Sequence, residues 1–307
     1  MRIVDFLDRG AHHHPHRLFC VDAQDAITYA QMQGWSQHVA ADLILAGITE
    51  GMRVGCLAPN SNLVMAYIYG MNRAGAVWVP LNARNSAQED LAIVQDFDVD
   101  CVVYHPRYER MVETFKAAAT QVRHFIRMET PSTPVARHEP NVPRLPFDPS
   151  RLTGLFPTGG TTGRSKGVML TELNWMVKAA NIAAALPTDA PPVHLVVAPL
   201  THGAGSFAMS LTAQGATHVI LDGFDAVGVM RAIEEHRVTH LFLPPTALYA
   251  LLAHPDVRQH DYSSLRYFIY GAAPSSPQKI EEAMSVFGPV MTNGYGQTEA
   301  PGSMTFL

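Results

Sequence analysis

The sequence predicts an α/β protein with two successive, mostly parallel β-sheets flanked by helices. Three observations carry that expectation. Through the first part of the chain, short apolar runs alternate with helix-length segments over short connections, the pattern of a parallel sheet covered by helices. Between Thr130 and Pro149 the prolines Pro131, Pro134, Pro140, Pro143, Pro146 and Pro149 crowd into chain that can be neither helix nor central strand. Beyond Leu152 the alternation resumes. Approximate subdomains at 1–150 and 151–307 follow, with no internal sequence repeat.

In order, residues 1–20 read as a short helix and an extended lead-in. Thr28-x-x-Gln31 is a capping box. The helix it opens places Met32, Trp35, Val39 and Leu43 on one face and stops at Gly47. Arg53–Ala58 reads as a buried strand, Asn62–Ala74 as a helix stopped by Gly75, and Val77–Val79 as the next strand. Ser86-x-x-Glu89 opens another helix reaching Phe97, and Val99–Tyr104 is again a strand. After the proline-rich connection, Leu152–Phe156 and Val168–Thr171 read as short strands, with a helix beginning near Glu172. Further strands are predicted at 193–198, 217–221, 239–243, 266–270 and 289–292. Helices fill the gaps, including Asp225–His236 and Ser276–Phe287.

At 307 residues, 47% of them apolar and 16% charged, the chain can build an ample core as one large or two medium domains. A formal net charge of −5 and the lack of any Lys/Arg run argue against nucleic acid or an anionic membrane as the main partner. Cys20, Cys56 and Cys101 each sit in apolar strand-like runs. Their spacing fits neither a zinc site nor a disulfide framework, which leaves buried thiols in a reducing, cytoplasmic compartment. No apolar segment reaches transmembrane length, and the first residues lack a basic-then-apolar signal pattern. The run His12-His13-His14-Pro15-His16 reads as a solvated segment.

The chemistry concentrates in Leu155 to Thr171. Gly159, Gly160 and Gly163, the hydroxyls of Thr158, Thr161 and Thr162, and Lys166 fall between two apolar runs. Glycines allow positive φ and close approach to a ligand. Successive N–H groups in such a turn form an anion nest, which hydroxyls and an ammonium complete as a phosphate cradle. A Walker loop would need glycine before the lysine and Ser or Thr after it, whereas Ser165 precedes Lys166 and Gly167 follows. The dinucleotide fingerprint fails in every register. This loop instead joins strand to strand.

Thr158 to Gly167, followed by Val168-Met169-Leu170-Thr171, resembles the phosphate-loop signature of the adenylate-forming enzymes, the acyl-CoA synthetase and ligase superfamily. Its usual form is (Ser/Thr)-(Ser/Gly)-Gly-Thr-Thr-Gly-x-Pro-Lys-Gly. Here Gly159 takes the permissive second position, Ser165 stands where proline is usual, and Glu172 stands where a histidine often follows. None of these removes a phosphate donor, but losing the proline is expected to loosen the loop. The family's opening pattern recurs in order as Gly51-x-x-Val54 with Met52 in place of aspartate, Asn60-Ser61, Ala74-Gly75-Ala76-Val77 and Pro80-Leu81-Asn82.

The resemblance implies roles for three later segments. Tyr270-Gly271-Ala272-Ala273-Pro274 follows an apolar strand, and Gly271, Ala272 and Ala273 would wall a flat adenine slot. Asn293-Gly294-Tyr295-Gly296-Gln297-Thr298-Glu299, also placed after a strand, matches the family's Tyr-Gly-x-Thr-Glu motif. Tyr295 beside Gly296 would stack on adenine, Asn293 would bond the base edge, Thr298 would meet the α-phosphate and Glu299 would hold Mg²⁺. In Ala198–Gly205, His202 would orient the substrate carboxylate or respond to the thiol acceptor, with simple packing at a strand end as the alternative. The small residues Gly203, Ala204 and Ala208 leave room for an acyl or aryl group.

The implied reaction has two halves, with ATP, Mg²⁺ and coenzyme A as cofactors and a small carboxylic acid as substrate. The acid is first activated to an acyl-adenylate, which a thiol then converts to a thioester. One ATP would bridge the glycine–threonine loop and the Tyr295 segment. The sequence stops at Leu307, eight residues after Glu299. Family members continue with a ribose-binding aspartate, a hinge and a C-terminal domain bearing a lysine essential to adenylation. A truncated N-terminal adenylation domain, weak or inactive alone, is therefore expected. Loading of a carrier-protein thiol and a catalytically silent nucleotide-binding or interaction module remain the alternatives.

Overall fold

The computed structural model describes residues 1–131, 142–158, 165–201 and 203–307. Helix α1 (Ile3–His13) buries Ile3, Phe6 and Leu7 and leads to two short strands, β1 (Leu18–Val21) and β2 (Ala26–Thr28). Helix α2 (Tyr29–Leu45) starts at the foreseen capping box. The Gln31 N–H donates to Thr28 Oγ1 at 3.2 Å, and the Thr28 N–H donates to Gln31 Oε1 at 2.8 Å. Met32, Trp35, Val39 and Leu43 are all buried, and Gly47 leaves the helix at φ 92°. Strand β3 (Arg53–Leu57), helix α3 (Asn62–Arg73), strand β4 (Val77–Leu81), helix α4 (Ala87–Asp96) and strand β5 (Cys101–Tyr104) follow the predicted alternation. A 3₁₀ turn at Pro106–Tyr108, helix α5 (Glu109–Ala118) and strand β6 (His124–Arg127) complete this run.

The second half begins with β7 (Leu152–Pro157) and β8 (Gly167–Thr171), then α6 (Glu172–Ala185) and β9 (Val193–Val196). It continues through α7 (Gly203–Thr212), β10 (Thr217–Ile220), α8 (Ala226–Glu235), β11 (His240–Leu243) and α9 (Pro245–Leu252). Strand β12 (Tyr267–Gly271), α10 (Pro277–Phe287), β13 (Met291–Gln297) and β14 (Ala300–Phe306) end it. The α/β class and both predicted sheets are present. Among the described residues no helix is long and apolar enough to cross a membrane.

The chain divides into two compact units, Met1–His16 with Thr28–Met176, and Arg17–Ile27 with Val177–Leu307. The first holds a sheet of order β6-β5-β3-β4-β7-β8, parallel from β6 to β7 and closed by the antiparallel pair β7–β8. Val77, Val79 and Leu81 of β4 bury against Val94 and Phe97 near α4 and Val112 and Phe115 of α5. The second holds the order β14-β13-β12-β11-β9-β10-β1-β2. It is parallel from β13 to β1, with β14 antiparallel at its edge. Leu195, Leu241 and Phe268 from its central strands pack against Ile233, Leu248 and Ala283 of α8, α9 and α10.

Two features depart from expectation. The N-terminal lead-in contributes β1 to the second sheet, with Cys20 in register with His218. A short apolar run cannot announce which distant edge it will join. The strand predicted at 289–292 also runs on to Gln297, because β14 supplies an antiparallel partner and pairing overrides the weak strand preference of Gly294 and Gly296. The segment Asn293–Gln297 therefore lies within a strand rather than after one. The three cysteines are buried free thiols, and burial pushes Cys56 and Cys101 up to about 12.

Glu172, the departure at the end of the glycine-loop signature, has a structural task. Its carboxylate is 1% exposed. It accepts from Arg2 Nε at 3.0 Å, from Arg151 Nη1 at 2.9 Å and from the Asp148 N–H at 2.8 Å. Arg2 also donates to the Asn72 carbonyl, and Arg151 Nε donates to Glu50 at 2.7 Å. The buried Arg2 and the half-buried Arg151 thus share one bonded carboxylate at the open end of the β7–β8 hairpin, the arrangement a buried ion pair requires.

Candidate functional site

In the first unit the hairpin β7–β8 carries the glycine loop. Its register runs from Leu152↔Thr171 to Pro157↔Gly167. Phe156 meets Trp78 edge-on at 4.9 Å and Trp175 at 5.9 Å, which fixes the strand beneath the loop. A Cβ on Gly167 would sit 2.8 Å from Leu155 Cδ1, so a larger residue at the return would displace that side chain. Above this pair the Thr158 N–H donates to the Lys166 carbonyl at 2.9 Å, and Ser165 Oγ donates to the Thr158 carbonyl at 2.8 Å. The Lys166 side chain is exposed. Gly159, Gly160, Thr161, Thr162 and Gly163 lie outside the described residues, as does His202.

In the second unit the parallel strand β12 ends beside the middle of β13, which runs on to Gln297. Gly271 pairs with Gly294, and a Cβ on Gly271 would overlap the Gly294 carbonyl oxygen. Only glycine fits that approach. Ala272 then adopts φ 66°, the left-handed region that costs an alanine roughly 1–2 kcal/mol. Strain of this kind persists where surrounding structure over-determines it, commonly at ligand sites. Ala272 and Ala273 are exposed at the strand end.

On β13 the main-chain N–H and C=O of Asn293 are both bonded to Leu307, at 2.7 and 3.0 Å. Register shifts follow at Tyr295/Gly296 and Gly296/Gln297. Such bulges twist a strand and re-aim its side chains. Tyr295 is 58% exposed, a large ring left open to stacking. Gln297 pairs with Ala300, so Thr298 and Glu299 form the turn, with Glu299 exposed. The structure places Gly271, Ala272 and Ala273 at the end of β12, Asn293, Tyr295 and Gly296 on the adjacent strand β13, and Thr298 and Glu299 in the turn that follows it.

The donor set suits a nucleotide and its metal. An exposed aromatic ring, a carboxamide and small-residue walls fit a planar base. Among the described residues no group of three His, Cys, Asp or Glu side chains can hold a metal ion. Magnesium takes one or two carboxylates and completes its shell with water and substrate phosphates, so the single carboxylate of Glu299 fits that demand.

Sequence reasoning missed the polar row inside the second sheet. His194, His218 and His240 are buried and occupy one register line across β10, β9 and β11. His194 Nδ1 lies 3.2 Å from His218 Nδ1, and His218 Nε2 lies 3.0 Å from Thr212 Oγ1. Thr212 donates its hydroxyl proton to the Ala208 carbonyl at 2.9 Å, so it accepts from His218 Nε2–H. His218 Nδ1 is then the bare acceptor and His194 Nδ1 carries a proton, tautomers assigned from the bonding pattern. Both rings are neutral. Burial lowers His218 to about 3 and His240 to about 4. His194 falls well below its usual value through burial, then through the neighbouring His218 and His240. Lys178 of α6 lies 5.8 Å over the Phe207 ring and is lowered to about 7 by burial. The only sequence signal was a polar residue inside each apolar strand run.

Two α/β sheets flanked by helices, matched over their whole extent, define the N-terminal domain of adenylate-forming enzymes. The chain belongs to the AMP-binding enzyme family, whose profile covers residues 7–307. It is 33% identical over 297 residues to a feruloyl-CoA synthase of an Amycolatopsis species, covering 96% of this chain and 59% of that protein. It is 32% identical over 288 residues to the medium/long-chain-fatty-acid–CoA ligase FadD8 of Mycobacterium tuberculosis, covering 89% of this chain and 50% of that protein. The inhibitor-bound N-terminal domain of FACL13 from Mycobacterium tuberculosis superposes with a TM-score of 0.92 at 27% identity, covering 100% of this chain and 78% of that one. The chain thus spans 50–59% of the length of these two curated relatives.

Proposed function

We propose that this chain carries the nucleotide-handling portion of an acid–thiol ligase, which activates a carboxylic acid with ATP and transfers the acyl group to coenzyme A. The observation that carries this reading is the pairing of Gly271 with Gly294, which sets Ala272 and Ala273 at the end of β12 beside the β13 segment bearing Asn293 and Tyr295, in a chain whose curated relatives are named as CoA ligases. In the second unit Gly271, Ala272 and Ala273 wall the adenine, Tyr295 stacks on it and Asn293 bonds its edge. Thr298 donates its hydroxyl to the α-phosphate. In the first unit Thr158, Thr161, Thr162 and Lys166, with the N–H groups of Gly159, Gly160 and Gly163, hold the β- and γ-phosphates.

The acid carboxylate attacks the α-phosphorus and pyrophosphate leaves, giving the acyl-adenylate. Charge develops on phosphate oxygens, so the protein contributes positioning and electrostatic stabilisation rather than covalent chemistry. Glu299 would hold Mg²⁺, which supplies charge neutralisation when bound. His202 orients the carboxylate, and the thiol of coenzyme A then displaces AMP to form the thioester. The buried free thiols support a reducing, cytoplasmic setting.

Calorimetric titration with ATP tests the nucleotide assignment. Lys166→Ala is expected to weaken binding about tenfold or more, a charge-assisted phosphate contact being worth about 1.5–3 kcal/mol, with little change in melting temperature. Unchanged affinity would remove the phosphate-loop reading. Carboxylate-dependent exchange of labelled pyrophosphate into ATP tests the first half-reaction. Coenzyme A offered against a carrier protein separates the two thiol acceptors.

A further inference from the structure

We propose that Ser165 is a positioning residue for the phosphate loop: its hydroxyl latches the loop's neck by bonding the Thr158 carbonyl, replacing the restraint that proline supplies in the usual signature. This rests on the reading of the loop as an ATP phosphate site. At this position a proline would fix its own φ and restrict the residue before it. Serine does neither, and the sequence alone therefore predicts a looser loop.

The neck supplies a different restraint. The hairpin ladder ends at Pro157↔Gly167. Beyond it both main-chain groups of Thr158 are engaged, the N–H by the Lys166 carbonyl at 2.9 Å and the C=O by Ser165 Oγ at 2.8 Å. The carbonyl of Thr158 belongs to the planar peptide unit through which the chain enters the loop. Fixing it sets the direction of entry. Lys166 is held by the same neck, since its carbonyl accepts from Thr158, while its side chain stays exposed. Ser165 thus keeps Thr158 and Lys166 in fixed register, the two phosphate-binding side chains that flank the loop. It touches no phosphate itself. A neutral hydrogen bond of this kind corresponds to about a fivefold change in an equilibrium constant.

The test uses the 307-residue chain and four variants, Ser165→Ala, Ser165→Thr, Ser165→Pro and Lys166→Ala. Two readouts are taken, ATP affinity by calorimetry and hydrogen exchange of the Thr158 amide by NMR. Ser165→Ala should weaken ATP about fivefold and speed Thr158 exchange by a similar factor, without moving the melting temperature. Ser165→Thr should restore both through its hydroxyl, and Ser165→Pro should restore affinity through backbone restriction. A merely structural serine would not give rescue by both a hydroxyl and a proline. Wild-type ATP affinity and wild-type Thr158 exchange in Ser165→Ala would overturn the proposal. If ATP binds the wild type and Lys166→Ala leaves that binding intact, the phosphate-site reading fails and the positioning role with it. Thr158 exchange, measured without nucleotide, still reports whether the latch exists.

Discussion

Acidification should destabilise the second unit through its buried histidines, and the size of the effect follows from their setting. In the unfolded chain a histidine protonates near 6.5, whereas His218 and His240 are held at about 3 and about 4 and His194 lies well below its usual value. These folded-state values are depressed, so the unfolded state binds more protons throughout the window from 6.5 down to about 4, and stability falls as pH falls through it. Integrating from about pH 7 to about pH 5, His218 and His240 each cost about 2 kcal/mol, and His194 acts in the same direction. A domain has about 5–15 kcal/mol in total. The second unit is therefore expected to lose much of its stability by about pH 5.

The groups sharing this row do not blur the window. Cys20 lies next in register, with its thiol pushed far upward, and Lys178 over the Phe207 ring, lowered to about 7 by burial, is charged through the lower part of the window. The assay is urea unfolding by circular dichroism at stepped pH. His218→Gln keeps a side chain able to bond Thr212 and removes one titrating ring, so the dependence should fall by about 2 kcal/mol between about pH 7 and about pH 5. An identical pH dependence in wild type and variant would refute the reasoning, whatever the absolute stabilities.

Three further outcomes follow from the packing. Asp90 is fully buried, and its Oδ1 accepts from Asn85 at 2.8 Å while Oδ2 has no partner among the described residues. Burial raises its pKa to about 6, so ionised Asp90 destabilises the fold as pH rises from 3.8 to about 6. Asp90→Asn should stabilise the first unit at about pH 8 by up to about 3 kcal/mol and do little at about pH 4, measured by urea unfolding at both. Glu172→Gln removes the charge shared by buried Arg2 and half-buried Arg151, leaving the Arg2 guanidinium uncompensated, and a loss of about 3 kcal/mol is expected in the same assay. Gly271→Ala places a methyl group against the Gly294 carbonyl and should cost about 1–3 kcal/mol, with weaker nucleotide binding because the strand ends must part.

The sequence by itself settled the elements governed by local rules. The capping boxes at Thr28 and Ser86 start α2 and α4 where residue chemistry places them, because cap and first turn are within reach of one another. Apolar runs bounded by glycine and proline marked β3, β4, β9, β11 and β12, and the loop signature carried the family. Those features depend on neighbours a few residues apart.

What the tertiary structure decided depends on partners far apart in sequence. Strand β1 joins β10, some two hundred residues on, because that edge offers it a register. β13 runs through the Tyr295 segment, placed after a strand from sequence, because β14 returns alongside it, and the register shifts there twist the strand. Ser165 and Glu172 read as departures from a signature; their bonding to Thr158, Arg2 and Arg151 gives each a task. Three histidines scattered across strands β9, β10 and β11 become one neutral buried row only when the strands align. Local pattern fixes which segments are helix or strand; the pairing of distant edges, and the water it excludes, fixes what each polar side chain meets.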